Sequence, residues 1–266
     1  MTNNSSQTSI PHLPENIPEL KHVLHIIGLS GVLMLKSYLA IISFKLKRKQ
    51  ITEQIVAIGF NTLPMVILIA SFSGMVISLE TSYWLEEYGA REAVGALLCV
   101  TSVVEIAPVF VSFAIGAQAG TAITAELAHM QITEQISAMR MFKVNPVNYL
   151  VAPRLCAMIY SLPLAIIIGA FFSIMGGILV SHYSSHIEFY VLFDSVWRSL
   201  KLKDMWYSII KSFVIGNYLI AIHTSFGLGT RGGAKEVGNM TSISTVWAAV
   251  GTICIDALLD YFMSLE

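Results

Sequence analysis

Long stretches without a charged residue constrain this chain more than any other feature. Residues 54–79 hold 26 uncharged residues in succession, and residues 155–187 hold 33. Three further runs, at 106–125, 212–230 and 237–255, hold 20, 19 and 19. About 20 residues of helix cross the hydrocarbon core of a bilayer, and each charge at its centre costs about 2.5–3.5 kcal/mol. With their apolar flanks, these runs predict five membrane-spanning helices, at about 54–79, 93–125, 148–181, 205–229 and 243–264.

The composition also indicates a membrane protein. Hydrophobic residues make up 55% of the 266-residue chain and charged residues 12%, about half the share usual in a soluble protein. A net charge of -1 argues against nucleic-acid binding by charge. The strongly polar sequence is confined to residues 1–19, and no Pro- or Gly-rich linker divides the rest. We therefore expect an all-α integral membrane protein, with a polar tail at 1–19 and a single membrane domain at 20–266.

The apolar segment 20–44 is ambiguous because Lys36 interrupts it. Only 14 uncharged residues, 22–35, precede that lysine. Several apolar side chains can share one face of a helix here, a pattern typical of a helix that lies in the membrane interface. These side chains are Val23, Leu24, Ile27, Leu35, Tyr38 and Ile42. We expect an N-terminal interfacial helix, and a tilted sixth span remains the alternative.

Basic residues predict the orientation of the five spans. Eight Lys or Arg residues flank the spans on the side of the amino terminus and four flank them on the other side. Basic loops are retained in the cytoplasm. We therefore expect the amino terminus and the loops 119–147 and 229–242 to be cytoplasmic. The first 19 residues lack the basic start and apolar core of a cleavable signal, so none is expected.

Motifs of the common hydrolytic enzymes are missing from the sequence, which contains no HExxH, GxSxG or GxxxxGK[ST]. His182 and His186 are spaced to share a metal on a helix, but no third ligand is near in sequence. Cys99, Cys156 and Cys254 lie in apolar runs without CxxC spacing, which favours small core residues. We therefore expect no catalytic residue, no metal site and no cofactor.

A long cytoplasmic segment, residues 125–154, separates the second and third predicted spans. Ile132, Ile136 and Met139 fall on one face of a short amphipathic helix outside the bilayer. Asn145 and Pro146 fit the N-cap and first position of the next helix. An apolar face outside the bilayer needs a covering surface, for which a peripheral protein and the lipid headgroups are the two candidates.

Three stretches resemble the MlaE-type permeases, the membrane subunits of ABC systems that move phospholipids between two membranes. They are VEIAPVFVSFAIGAQAGTAITAELAHM (104–130), ITEQISAMRMFKVNPVNYLVAPR (132–154) and GGAKEVGNMTSISTV (232–246). The resemblance covers about residues 50–263, and the run from Thr133 to Arg154 is its most specific part. It implies a transport permease that is not itself an enzyme, in a bacterial inner membrane or a plastid inner envelope.

The resemblance also implies partners. A separate ATPase subunit would bind a coupling helix at 126–142. The contacts carried over from the family fall on Ile132, Thr133, Glu134, Gln135, Ile136 and Ala138. Two permease copies would form a homodimer that holds a phospholipid between them, capped by an MCE-domain substrate-binding protein. The rival interpretations are an ATP-independent secondary transporter, for which internal repeats are expected but none is found, and a membrane anchoring or assembly subunit.

Glu105 is the carboxylate that lies deepest in a predicted span. It must be neutral, paired or facing a wet cavity. In similar permeases an Arg-Glu-Leu-Gly-Pro pattern lines the lipid pocket, whereas residues 104–108 here read Val-Glu-Ile-Ala-Pro, and Gln118 replaces another usual arginine. The resemblance thus implies Glu105 and Pro108 as substrate-binding residues without those arginines, and a helix–helix hydrogen bond is the alternative for Glu105. Pro108 would also free a backbone carbonyl.

Two further patterns concern the packing of the spans. Gly116 and Gly120 form a GxxxG motif, which allows close approach of helices within the chain or between two copies. Asp256 and Asp260 lie one turn apart near the carboxyl end of the last span. We expect both aspartates to be solvated at the membrane surface.

Overall fold

The computed structural model describes residues 19–42 and 48–264, in which every regular element is helical. The α-helices are α1 (Glu19–Ile42), α2 (Arg48–Ile58), α3 (Leu63–Glu87), α4 (Val94–Thr101), α5 (Ser112–Ile115), α6 (Thr121–Ile132), α7 (Gln135–Met141), α8 (Ala152–Ser185), α9 (Phe189–Ser199), α10 (Leu202–Gly229) and α11 (Ala234–Met263). Two 3₁₀ turns (Phe60–Thr62 and Arg91–Ala93) and three π-helical segments (Ser102–Val111, Gly116–Gly120 and Val147–Val151) connect some of them. The predicted all-α class is confirmed. The predicted polar tail, apart from Glu19, lies outside the described residues.

Within the described residues, five continuous helical stretches are long and apolar enough to cross a membrane, which confirms the predicted number. They are Arg48–Glu87, Arg91–Ile132, Val147–Ser185, Leu202–Gly229 and Ala234–Met263, called the first to fifth spans below. All are longer than the segments predicted for them. The fifth span starts at Ala234, well before residue 243, so its helix continues past the most apolar part of the run.

The first and third spans pack along a seam of small residues. Gly74 in α3 lies directly against the backbone of Ser173 in α8. Ser78 Oγ donates to the Gly177 carbonyl at 2.8 Å and contacts Ser181 Oγ. Small residues let the two backbones approach closely, and the serines satisfy one another away from water. This seam therefore joins two spans without a large apolar core between them.

The main apolar core lies among the second, third and fourth spans, where Val111, Leu155 and Leu219 are fully buried. A smaller cluster, which includes Leu98 and Leu192, joins α4 to α9. The first and fifth spans, by contrast, present large apolar side chains outward. These are Leu68, Phe72, Val76, Val246, Val250, Ile253 and Leu258. Such a surface is favourable against lipid chains, in agreement with a membrane location.

Helix α1 packs along α10 and touches the start of the third span. Ser37 and Ala40 are buried, and the Tyr38 hydroxyl donates to Asn217 Oδ1. Leu35 and Ile42, which belong to the predicted apolar face, point outward instead. Because an interfacial helix and a tilted span both allow this packing, the position of residues 20–44 in the membrane stays a prediction.

The three cysteines differ in their exposure. Cys99 is buried, Cys156 is half-buried and Cys254 is exposed on the outer face of α11. The expectation of a core position is wrong for Cys254, since α11 packs on one side only.

His182 Nδ1 donates to the Ile187 carbonyl at 2.8 Å and its ring stacks on Phe189. This histidine holds the turn between α8 and α9.

We predict that Gly74→Ala destabilises the protein, because the added methyl group would collide with the carbonyl of Ser173. Overpacking of this kind costs about 1–3 kcal/mol. The measurement is thermal unfolding in detergent. Gly238→Ala is the matched control, since no atom lies within 4 Å of its added methyl group. Equal melting temperatures for the two variants would show that the seam tolerates separation.

Candidate functional site

Glu105 belongs to an ion cluster that joins the second, fourth and fifth spans. Lys211 Nζ in α10 lies 2.5 Å from Asp260 Oδ1, 3.0 Å from Asp256 Oδ1 and 3.5 Å from Glu105 Oε2. The Lys211 side chain is fully buried, and that of Asp256 nearly so. Those of Glu105 and Asp260 are 46% and 32% exposed. The cluster is therefore closed on the side of Lys211 and open along an edge formed by Glu105 and Asp260.

A backbone carbonyl completes the surroundings of Lys211. Its Nζ donates to the Val104 carbonyl at 2.8 Å. In an α-helix that carbonyl would accept from the N–H of residue 108, but Pro108 has none. The span is π-helical here, from Ser102 to Val111. Lys211 thus donates to the carbonyl four residues before Pro108, a contact that the sequence did not predict, and the ring of Pro108 itself is buried.

The expectation that Asp256 and Asp260 are solvated is wrong for Asp256, which is buried. Lys211 marked only the boundary of an uncharged run in the sequence. Buried charges are tolerated when they are paired, and Lys211 supplies that pair. A signal was present: Lys211 lies about two and a half turns from the start of α10 and Asp256 about two turns from the end of α11. Antiparallel neighbouring helices place these residues at one depth.

The cluster contains three carboxyl groups and one ammonium group. The carboxyl oxygens of Glu105, Asp256 and Asp260 lie within 4.8 Å of one another. Lys211 supplies positive charge to this set from its buried side. Because the carboxyl groups outnumber the ammonium group, the open edge of the cluster has an acidic character. An edge of this kind, set among apolar helices, can contact the polar part of an amphipathic molecule.

A second polar group ties α6, α10 and α11 together in the bundle interior. The fully buried His223 has its Nδ1 2.9 Å from Thr124 Oγ1 and 3.3 Å from Ser244 Oγ. Its ring lies against Gly120, where any β-carbon would collide with it. Gly116 of the GxxxG motif also faces α10. Both glycines are therefore used for packing within the chain, while the sequence alone gave no sign of the Thr124–His223–Ser244 group.

The loop at 133–146 contains a short helix between two turns. Glu134 adopts a left-handed conformation (φ 62°), which interrupts the helix between α6 and α7. Thr133 Oγ1 donates to the His129 carbonyl at 2.7 Å and stabilises the end of α6. Asn145 Oδ1 accepts from the Val147 N–H at 3.0 Å. The predicted capping role of Asn145 is confirmed.

The predicted apolar face of this loop is covered by the protein itself. Ile136 is 1% exposed and belongs to the same core as Leu127 and Val151. The inference that this face needs an external cover is therefore wrong, because periodicity identifies a face and not what lies opposite it. Ile132 is half-buried. The outward side of the loop carries Thr133, Glu134, Gln135, Ala138, Met141 and Phe142.

Met141 and Phe142 were missed in the sequence. Their side chains are 82% and 80% exposed, although both are large and apolar. They follow the periodic stretch that defined the helix, so no periodicity singled them out. An exposed Phe beside an exposed Met outside the spans is a candidate contact for another surface.

Comparison with known proteins shows which sequences this chain is similar to. The sequence model of the family described as "Permease MlaE" matches residues 51–262. A probable ABC transporter permease of Synechocystis is 30% identical over 226 residues, which cover 85% of this chain and 86% of that protein. One from Rickettsia typhi is 30% identical over 233 residues, covering 86% and 90%. The Arabidopsis thaliana protein TRIGALACTOSYLDIACYLGLYCEROL 1, chloroplastic, is 29% identical over 224 residues, covering 84% and 64%.

We predict that Lys211→Met destabilises the bundle, because three carboxyl groups and the Val104 carbonyl lose their shared partner. Removing one member of a buried ion pair costs about 3–5 kcal/mol. The measurement is thermal unfolding in detergent. Lys201→Met, a change of an exposed lysine at the start of α10, is the control. Adding Asp256→Asn to Lys211→Met should recover part of the loss. A melting temperature unchanged by Lys211→Met would contradict the role of the cluster.

Proposed function

Because the chain belongs to the MlaE permease family, as its sequence predicted, we propose that it is the membrane subunit of an ABC transporter that moves phospholipids between membranes. The observation that carries the proposal is the family match over residues 51–262 on a chain with five spans. The name of the Arabidopsis relative contains that of a glycerolipid, which supports a lipid substrate. ATP would be hydrolysed on a separate subunit, and the permease itself catalyses no reaction.

The ATPase subunit binds the outward side of the loop 133–146 in this proposal. Thr133, Glu134, Gln135 and Ala138, four of the six residues carried over from the family, are exposed there. Phe142 adds an apolar contact that a groove on the ATPase can bury. Ile136 has a different role, since it anchors the loop in the core. The loop thus combines an exposed contact surface with an internal anchor.

The lipid lies against the open edge of the ion cluster, between two permease copies. The partly exposed Glu105 and Asp260 lie on spans that also expose large apolar side chains such as Phe110 and Leu258, so the headgroup and the acyl chains of a lipid can contact different residues. Pro108 contributes by freeing the carbonyl that Lys211 binds. An MCE-domain protein caps the homodimer at the end opposite the loop.

The membrane is a bacterial inner membrane or a plastid inner envelope, with the amino terminus on the cytoplasmic or stromal side. The eight basic residues on the loop side support this orientation. Relatives from Synechocystis, Rickettsia and a chloroplast support both locations. Neither rival function, a secondary transporter or an anchoring subunit, requires an ATPase at the loop.

We predict that Phe142→Ser weakens ATPase binding because it removes an exposed apolar contact. The measurement is co-purification of the ATPase with a tagged permease from detergent, and we expect at least about a tenfold lower yield, as for a hot-spot residue. Trp197→Ser is the matched control, since Trp197 in α9 is also 80% exposed but lies at the opposite end. Full retention of the ATPase by Phe142→Ser would argue against this contact. No ATPase with the unaltered chain would overturn the proposed function.

We predict that Glu105→Gln slows lipid transport, because it removes a carboxylate from the open edge of the cluster. In liposomes that contain the complete transporter, we expect about a tenfold lower rate of transfer of a fluorescent phospholipid. That factor corresponds to about 1.4 kcal/mol of lost interaction. Glu80→Gln, an exposed carboxylate near the end of α3, is the control. A normal transport rate would leave Glu105 the purely structural role that was the alternative.

A further inference from the structure

Arg154 and Glu126 connect the two spans on either side of the loop 133–146. Arg154 Nη2 in α8 donates to Glu126 Oε2 in α6 at 2.6 Å, and Nη1 donates to the Leu150 carbonyl at 3.3 Å. The Arg154 side chain is only 3% exposed, whereas that of Glu126 is 57% exposed. The exposed carboxylate of Glu126 is thus paired with the buried guanidinium group of Arg154.

Glu126 is the charge partner on which Arg154 depends. Arg154 Nε is buried and has no hydrogen-bond partner. Among the described residues, no other ion pair joins the second and third spans. A buried cation that loses its single counter-charge is strongly unfavourable, unlike a member of an exposed salt bridge. The pair therefore opposes separation of the two spans near the loop.

The position of the pair relates it to the loop. Glu126 lies about two turns before the end of α6, and Arg154 about two turns after the start of the third span. The pair and the loop 133–146 together close a ring at one end of the bundle. Ile136 enters this ring from the loop and packs in the core that contains Leu127 and Leu155, the sequence neighbours of the two ions.

We propose that Glu126 and Arg154 are positioning residues that clamp the two ends of the loop, so that α7 moves together with both flanking spans. Without the clamp, the second and third spans can separate when α7 is displaced, and the displacement is lost within the loop. The role in transport rests on the proposed function, because the displacement comes from the ATPase. The clamp itself is a property of the permease alone.

Hydrogen–deuterium exchange of the permease in detergent tests the clamp without an ATPase. Glu126→Gln is expected to raise amide exchange in residues 135–146 about tenfold while the centres of the spans stay protected. Glu53→Gln is the matched control, because Glu53 forms an exposed pair with Lys49 in α2 that joins no two spans. Unchanged exchange in the loop of Glu126→Gln overturns the proposal.

A second variant covers the case in which Glu126→Gln loses protection in every span and so fails to fold. Glu126→Asp keeps the charge on a shorter side chain. It should raise exchange in the loop more than in the spans. A rise of equal size everywhere would assign the pair to general stability and overturn the clamp.

Reconstitution with the ATPase tests the positioning role. Glu126→Gln should retain the ATPase and its ATP hydrolysis but move at least about fivefold less fluorescent phospholipid per ATP, and Glu53→Gln should match the unaltered chain. A normal ratio with a loosened loop would overturn the positioning role. Failure of the unaltered chain to bind an ATPase would instead refute the proposed function, while the exchange experiment still decides whether the clamp exists.

Discussion

A charge inside an apolar bundle has to find its counter-charge within the protein, and this constraint organises both ends of the structure. At one end Lys211 brings carboxyl groups from the second and fifth spans to the fourth. At the other end Arg154 draws the second and third spans together through Glu126. Since Lys211 and Arg154 are themselves buried, each pairing favours one arrangement of the spans over others that bury the same apolar surface.

Apolar packing alone specifies less in a membrane, because lipid chains solvate a leucine as well as another helix does. The spans are therefore joined by close contacts and internal polar bonds. Gly74 admits the backbone of α8, and Gly120 admits the ring of His223. The bonds of His223 to Thr124 and Ser244 fix α10 between α6 and α11. These contacts lie inside the bundle, while large apolar side chains such as Phe72 and Leu258 point outward.

The number of spans could be predicted from the sequence because the cost of a charge in lipid depends mainly on the local run of residues. Pairing is not local, so Asp256 was assigned to the solvated surface although Lys211 stands opposite it. Periodicity found the face of Ile136 but could not show that the core covers it. Phe142 lies beyond the periodic stretch, and Arg154 was only part of a family motif until the structure placed Glu126 beside it.

The second span links the ion cluster to the loop 133–146, since it carries Glu105 towards one end and Glu126 towards the other. This span contains two π-helical segments. The first, Ser102–Val111, includes Glu105, and the second, Gly116–Gly120, lies between Glu105 and Glu126. Such segments are common at functional sites and interrupt the regular hydrogen-bond ladder. Next to the second segment, His223 holds the span to α10, the helix that carries Lys211. In the proposed transporter, a displacement of the loop by the ATPase would have two routes to the ion cluster, along the second span to Glu105 and through α10 to Lys211, and would change the distance between these two residues.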